Sequence, residues 1–226
     1  MKILDNINHT VREDLQDTMQ KGSRVSIAAA CFSIYAYQEL KKQLEEIAEL
    51  RFIFTSPTFV QENTPKARRE FYIPKLTREK SLYGTEFEVR LRNELTQKAL
   101  AKECADWVRR KVKFRSNVSG EQMPGFMTVG ESSYMPISGF TTVDLGCERG
   151  NNAYYPVQRT EAFENGRYFL SLFDEIWNDS SRLQDVTDIV LQSISTAYRE
   201  NSPDFIYFFT LYNIFSEFLE DVSEDN

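Results

Sequence analysis

The sequence predicts an α/β fold in which a mixed β-sheet lies between layers of helices. Two strand-like apolar runs, RVSIAAACF and ELRFIFTSPTF, flank a segment with helical spacing, which is the order of a β-α-β unit with two parallel strands. A long charged helix and several short strand-like runs follow them. A hydrophobic fraction of 41% over 226 residues supplies enough apolar side chains for a complete core.

The first predicted element is a helix over residues 1–21, which Lys21-Gly22-Ser23 ends. Ser33 is placed to cap the helix IYAYQELKKQLEEIAEL between the two strand-like runs. A right-handed crossover is therefore expected between two parallel strands. The apolar face of the first helix consists of Ile3, Leu4, Ile7, Val11, Leu15 and Met19.

A polar, charged segment over residues 60–83 comes next, and Pro65 and Pro74 exclude a long helix there. Thr85 and Glu88 then form a capping box at the start of the helix EFEVRLRNELTQKALAKECADWV. The sequence therefore predicts a long helix directly after an irregular connection.

The run RKVKFRS alternates in polarity after that helix. It predicts a strand with Lys111, Lys113 and Arg115 on one face, and Val112 and Phe114 on the other. The elements predicted beyond it are a strand over 126–129, a turn over 130–133, a second short strand, a strand near 153–157, a helix ending near 177, and helices near 181–199 and 203–220.

Charge is distributed unevenly along the chain, whose net charge is −7. Residues 61–120 hold 15 basic against 8 acidic side chains, whereas residues 161–226 hold 3 basic against 14 acidic ones. This asymmetry indicates two surfaces with different partners. The acidic total excludes a general nucleic-acid coat protein but leaves room for one local basic site.

Three scattered cysteines are too few for a disulfide framework or a zinc knuckle. No apolar run approaches the roughly 20 residues that a membrane helix needs. Acidic residues interrupt the N-terminus from Asp5 onward, unlike a signal peptide. We therefore expect a cytoplasmic protein with no membrane partner.

Four stretches carry a likeness to a known family: RVSIAAACFSIYAYQELKKQLEEIAELRFIF, EFEVRLRNELTQKALAKECADWVRRKVKFRSN, ISGFTTVDLG with the following NNAYYPV, and FLSLFDEIWND with the helices beyond it. Together they resemble the phospholipase D-like domain found at the N-terminus of certain bacterial Swi/Snf-type helicases. The resemblance covers most of the chain. It implies a phospholipase D-like mixed sheet between helices over residues 1–178, and a helical extension over residues 179–226 that leads toward a helicase motor.

The family's catalytic signature is H-x-K-x-x-x-x-D on a strand and turn. It supplies an imidazole that attacks phosphorus and a lysine that neutralises the phosphate. In this sequence the histidine position falls on Pro124, the lysine position on Phe126 and the aspartate position on Glu131. The resemblance therefore implies a degenerate motif with no catalytic residue.

The family's later loop, Gly-Ser-Ser-Asn-Phe-Thr, is kept only in part. Ser138, Phe140 and Thr141 match it, but Gly139 stands where the family has asparagine. The hydroxyl groups of Ser138, Thr141 and Thr142 are expected to hydrogen-bond a phosphate. The loop therefore predicts residual phosphate binding without chemistry.

The rest of the sequence also argues against an enzyme. His9 is the only histidine, and it lies far from the motif in sequence. No phosphate-binding loop of the G-x-x-x-x-G-K-[ST] type is present. We expect no catalysis, no cofactor and no metal ion in this chain. The resemblance implies an ATP-dependent helicase for a longer protein that contains it.

The predicted function is a non-catalytic accessory module of a DNA/RNA helicase, which binds nucleic acid or positions the motor. Cations about 7 Å apart along one strand face match phosphate contacts on a nucleic-acid backbone, DNA being expected first. A solvated edge strand is the alternative interpretation of the same lysines. The predicted contacts are Arg109, Lys111, Lys113, Arg115, Ser138, Thr141 and Thr142.

Two other functions stay open. A protein-interaction or homodimerisation domain would use a cleft filled by Pro124 and Phe126 as an apolar surface. A nuclease with unconventional groups would use Glu131 with a metal ion. The partners predicted by the main interpretation are nucleic acid and a downstream helicase motor domain.

Overall fold

A computed structural model of the chain describes residues 1–56, 86–148, 156–161 and 165–196, and the fold is given for these residues. The strands are β1 (Lys2–Leu4), β2 (Arg24–Ala29), β3 (Glu49–Phe54), β4 (Val112–Asn117), β5 (Phe126–Val129), β6 (Ser132–Met135), β7 (Val157–Thr160) and β8 (Leu183–Asp185). The helices are α1 (Val11–Thr18), α2 (Ile34–Glu39), α3 (Lys41–Glu46), α4 (Glu86–Lys111), α5 (Asn165–Asn178) and α6 (Thr187–Thr196).

The eight strands in the described part of the chain form one mixed sheet in the order β1-β7-β6-β5-β2-β3-β4-β8. Strands β2, β3 and β4 are parallel, and the other neighbouring pairs are antiparallel. The predicted α/β class with a mixed sheet is therefore confirmed. The parallel pair predicted for the first β-α-β unit is confirmed too, with Ile27 of β2 paired to Phe52 of β3.

The larger core lies on one face of the sheet, against α1, α2, α3, α4 and α6. Ile27, Phe52 and Phe114 lie opposite one another on three neighbouring strands. They therefore share a face of the sheet, and all three point into this core. Trp107 of α4 is buried among them and donates its indole N–H to the carbonyl oxygen of Leu44 at 2.8 Å. This hydrogen bond satisfies the polar end of a large core side chain.

Helix α5 covers the opposite face of the sheet. Its Phe173 and Trp177 are buried against Ala28, Ile53 and Phe126 of three neighbouring strands. The sheet therefore lies between helices, as the sequence predicts.

The helix predicted over residues 1–21 is wrong in its N-terminal half, where β1 and a tight loop stand instead. The Asp5 carboxylate accepts three backbone N–H groups of that loop at 2.9–3.0 Å. Helix α1 begins only after Thr10, whose hydroxyl caps it. Ile3 and Ile7 are exposed as a consequence, because neither lies on a helical face that meets the core.

Two other helix boundaries differ from the predicted ones. Ser33 caps α2 as predicted, since its hydroxyl accepts the Tyr35 N–H at 3.2 Å, but the helix breaks at Leu40 into α2 and α3. Helix α4 continues to Lys111, so Lys111 is not a strand residue. The predicted capping box of α4 at residues 85–88 lies outside the described side chains.

The sheet crosses the boundary predicted at residue 178. The helix predicted near 181–199 is replaced by β8 and the shorter α6, and β8 pairs with β4 of the same sheet. Strand β7 begins at Val157, whereas α5 ends where the sequence predicts. The helix predicted near 203–220 lies outside the described residues. Among the helices that are described, none has the length and hydropathy needed to cross a bilayer.

Candidate functional site

The segment that the resemblance assigns to the degenerate motif leads into a β-hairpin at the centre of the sheet. Strand β5 pairs with β6 across a turn at Gly130 and Glu131, so the turn is shorter than the predicted 130–133. Gly130 has φ +55, a conformation that favours glycine. Strand β5 also pairs antiparallel with β2, which places its first residue, Phe126, beside Ala28 near the carboxyl end of the parallel strands.

The loop that follows β6 returns to this same edge of the sheet. The N–H of Ala30 donates to the carbonyl oxygen of Ser138 at 2.9 Å, and the N–H of Phe140 donates to that of Cys31 at 2.8 Å. Gly125 lies so close to the loop that a Cβ there would overlap the carbonyl oxygen of Ile137. The segment that begins at Pro124 and the loop that carries Ser138 are therefore brought together.

The side chains at the positions that the resemblance assigns to histidine and lysine carry no charge. Phe126, at the lysine position, is 0% exposed and lies 5.4 Å from the Phe169 ring and 6.2 Å from the Phe173 ring, measured between centroids. Pro124, at the histidine position, is exposed at the start of the same segment. Phe126 cannot contribute to the apolar dimer surface predicted at Pro124 and Phe126, because its ring is buried within its own chain.

Glu131, at the aspartate position, lies at the other end of the hairpin. It is exposed beside Gly130, whose N–H donates to the carbonyl oxygen of Arg24 at 3.1 Å. The four residues of β5 separate it from the loop that carries Ser138 by roughly 13 Å. Within the described ranges, no group of three or more His, Cys, Asp or Glu side chains is arranged to hold a metal ion.

The loop itself is closed by internal hydrogen bonds. The Thr141 hydroxyl donates to the Asp144 carboxylate at 2.5 Å, and the Asp144 N–H donates back to that hydroxyl at 3.2 Å. A Cβ at residue 139 would lie 2.6 Å from both Asp144 Oδ2 and Cys31 Sγ, so glycine is the residue that fits. Thr142 is half-buried, and its carbonyl oxygen accepts the Cys147 N–H at 2.9 Å.

Desolvation sets the protonation of the groups around this loop. Burial raises the pKa of the Asp144 carboxyl, although hydrogen bonds from Thr141 and from the Gly139 N–H oppose that effect. Cys31 reaches the surface, yet partial desolvation and then the nearby Asp144 carboxylate raise the pKa of its thiol. The thiol is therefore protonated at neutral pH, which makes it a poor nucleophile.

The segment that carries the only histidine contacts this loop. Asn6 of the β1–α1 loop, which carries His9, donates its side-chain amide to the Asp144 carbonyl oxygen at 2.9 Å. The His9 side chain is exposed. Sequence separation alone gave no sign of this proximity.

Several of the side chains predicted to contact nucleic acid bind partners within the chain instead. Lys111 donates to the backbone carbonyl oxygens of Glu45 and Ile47 at 2.5 and 2.7 Å, where it binds the end of α3. Arg109 forms an ion pair with Asp106 at 2.6 Å. These two cations therefore offer less charge to a ligand than the sequence predicts.

Lys113 and Arg115 do share a face of β4, as predicted, but α5 lies against part of that face. The Arg115 guanidinium stacks 4.6 Å from the centroid of the Trp177 ring and donates to the Trp177 carbonyl oxygen. Lys113 is exposed, and no ion pair or hydrogen bond joins its ammonium group to the described residues. Lys113 is therefore the predicted contact best placed for a ligand.

Arg51 of β3 is a cation that the sequence analysis missed. It pairs with Lys113 in the sheet register and lies beneath α5, with an ion pair to Asp174 at 2.7 Å and the Phe173 ring centroid at 5.0 Å. Its side chain is only 20% exposed. An arginine inside the apolar strand run ELRFIF is the signal that points to it, because a buried strand position rarely takes a charge.

Comparison with known proteins does not assign the sequence to a family. No family model matches the sequence, and no curated protein matches it either. The resemblance to phospholipase D-like domains therefore stays a prediction from the residues quoted for it.

Proposed function

We propose that this chain is a non-catalytic, phospholipase D-like module that accompanies a Swi/Snf-type helicase motor and binds nucleic acid, with DNA as the first candidate. The observation that carries the proposal is the complete burial of Phe126. A ring with no exposed surface stands where the resembling family has its phosphate-binding lysine.

Phosphodiester transfer needs a nucleophile, a cation for the phosphate charge and an acid for the leaving oxygen. Pro124 and Phe126 supply none of these. The protonated thiol of Cys31 and the exposed His9 belong to neighbouring segments. The lysine that the family's motif would supply to neutralise a phosphate is replaced by Phe126. Binding without cleavage is the role that this set of side chains supports.

The exposed ammonium group of Lys113 supports the nucleic-acid part of the proposal. It is exposed on β4, the seventh of the eight strands in the sheet order, and Asp174 balances the charge of the adjacent Arg51. Contacts of this kind add salt-dependent affinity and carry no sequence information. The ligand expected from this surface is therefore a nucleic-acid backbone of any sequence.

Fluorescence anisotropy of labelled single- and double-stranded DNA at several salt concentrations tests this proposal. Replacing Lys113→Ala should weaken binding and lower the slope of log affinity against log salt by about 1. Lys102→Ala is the matched control, because Lys102 is an exposed lysine on α4. Equal effects of the two substitutions, or wild-type binding that salt does not weaken, would contradict the proposal.

A further inference from the structure

A row of polar side chains crosses the face of the sheet on which α5 lies. Cross-strand pairing places Ser26 beside Arg51 on one side and beside Thr128 on the other. The same level continues from Arg51 to Lys113 of β4 on one side, and from Thr128 through Ser133 of β6 to Thr160 of β7 on the other. The polar row consists of Thr160, Ser133, Thr128, Ser26, Arg51 and Lys113.

The centre of the polar row is buried. Ser26, Thr128 and Ser133 are each at most 2% exposed. Among the described residues, the Thr128 hydroxyl has no hydrogen-bond partner, and neither has the buried Nε of Arg51. An unpaired buried donor is costly, and valine has nearly the shape of threonine without that cost. Fold stability therefore gives no reason for a threonine at this position.

The unpaired groups of the row are hydrogen-bond donors. Arg51 uses Nη1 on Asp174 at 2.7 Å and Nη2 on the Ser26 hydroxyl at 3.2 Å, which leaves its Nε–H free of a partner. The Ser26 hydroxyl accepts from Arg51 and keeps its own proton to donate. Thr128 is the direct cross-strand neighbour of Ser26, and such neighbours have Cβ atoms about 5 Å apart. Three donors thus lie at one level on the neighbouring strands β3, β2 and β5.

Charge around the row favours an anion. Asp174, which is 55% exposed, balances Arg51, while the adjacent Lys113 is exposed and adds a positive charge at the open end of the row. Donors backed by positive charge select a ligand with several acceptor oxygens. The buried hydroxyls exclude a polymer from the centre of the row, so the ligand must be small or must end in a small group.

We propose that the polar row binds an oxyanion, either free phosphate or a terminal phosphate group, between Arg51, Ser26 and Thr128. The site adjoins the nucleic-acid surface without being part of it, because its hydroxyls are buried, whereas Lys113 at the end of the row is exposed. It goes beyond the proposed function and does not depend on it. One phosphate oxygen would accept from the Thr128 hydroxyl and another from the Arg51 Nε–H.

Thermal unfolding of the whole chain in inorganic phosphate, against chloride at equal ionic strength and pH, tests this site. Phosphate should raise the unfolding midpoint of the wild type. Thr128→Val should weaken phosphate binding at least tenfold, and Ser26→Ala provides a second variant of the row. Ser132→Ala is the matched control, since it removes a hydroxyl from the opposite face of the same sheet and should keep the wild-type response.

An equal midpoint in phosphate and chloride would overturn the proposal, and so would a full phosphate response in both Thr128→Val and Ser26→Ala. Labelled DNA added to the phosphate-bound protein distinguishes the two sources of phosphate. Binding of DNA that is unaffected by phosphate and by Thr128→Val is the expected result. Competition between the two ligands, with weaker DNA binding in Thr128→Val, would assign the row to the nucleic-acid backbone and overturn its separation from that surface.

Discussion

At the scale of single residues, the carboxylate of Asp14 joins three strands to α1. It accepts from Lys2 of β1 at 2.6 Å, from Arg159 of β7 at 3.0 and 3.1 Å, and from the Tyr134 hydroxyl of β6 at 2.9 Å. Its side chain is 2% exposed. A buried carboxylate is stable only with such partners, because burial without them disfavours its charge.

The pKa of Asp14 makes this network sensitive to acid. Burial by itself raises that pKa, but the hydrogen bonds from Lys2 and Tyr134 and the charge of Arg159 outweigh burial and leave the pKa below its ordinary value. A lowered folded-state pKa adds stability above the unfolded-state pKa of about 3.9. That contribution is lost as the pH falls from there through the folded-state pKa.

Asp14→Asn should lower the free energy of unfolding at neutral pH by about 3 kcal/mol, because it leaves the partly buried Arg159 without its buried counter-ion. Urea denaturation at pH 7 and again near pH 3 measures this, and the difference from wild type should shrink at the lower pH. Glu161→Gln is the control, since Glu161 also pairs with Arg159 but is 71% exposed, and it should cost less than about 1 kcal/mol. Equal losses in both variants would contradict a buried network at Asp14.

At the scale of elements, the hairpin and the loop after it form one unit through close backbone contact. The N–H of Ile137 donates to the carbonyl oxygen of Gly125 at 2.9 Å, and no side chain fits at residue 125. The loop then follows the end of β2 through Ala30 and Cys31. This contact holds the hairpin and the loop together through backbone atoms.

Gly125→Ala should therefore destabilise the fold by about 3 kcal/mol, the upper range for overpacking, because the Ile137 carbonyl is backbone and cannot rotate away. Gly120→Ala is the control: its φ of +74 is strained for alanine, but its surroundings are open, so about 1 kcal/mol is expected. Urea denaturation compares the two variants. A loss of unfolding free energy at Gly125 no larger than at Gly120 would show that the Ile137 carbonyl does not contact residue 125 closely.

The sequence predicts elements well where a periodic pattern spans the whole element. Strands β2 and β3 are clear apolar runs, and α5 is a clear amphipathic helix. The first 21 residues mislead because Ile3 and Ile7 fit helical spacing, while the turn made by Asp5 depends on local hydrogen bonds that spacing does not show. Lys111 fits the alternation of a strand, but α4 ends on it instead.

At the scale of the whole molecule, α5 decides what the basic strand can do. It lies on the face that carries Arg51 and Arg115, and it engages both guanidinium groups through Trp177 and Asp174. The sequence predicts both the strand and the helix, but it does not show that one covers the other. The predicted row of free cations is therefore reduced mainly to Lys113, while the polar row beside it had no sequence signal beyond isolated hydroxyl residues.

The measurement that tests the central claim most directly is cleavage of end-labelled DNA under conditions in which anisotropy shows the DNA bound, with protein in excess. A binding module without phosphodiester chemistry should leave single- and double-stranded DNA intact, and His9→Ala should behave like the wild type. Cleavage by the wild type that disappears in His9→Ala would show that the sole histidine acts on phosphodiesters, and it would contradict a non-catalytic function.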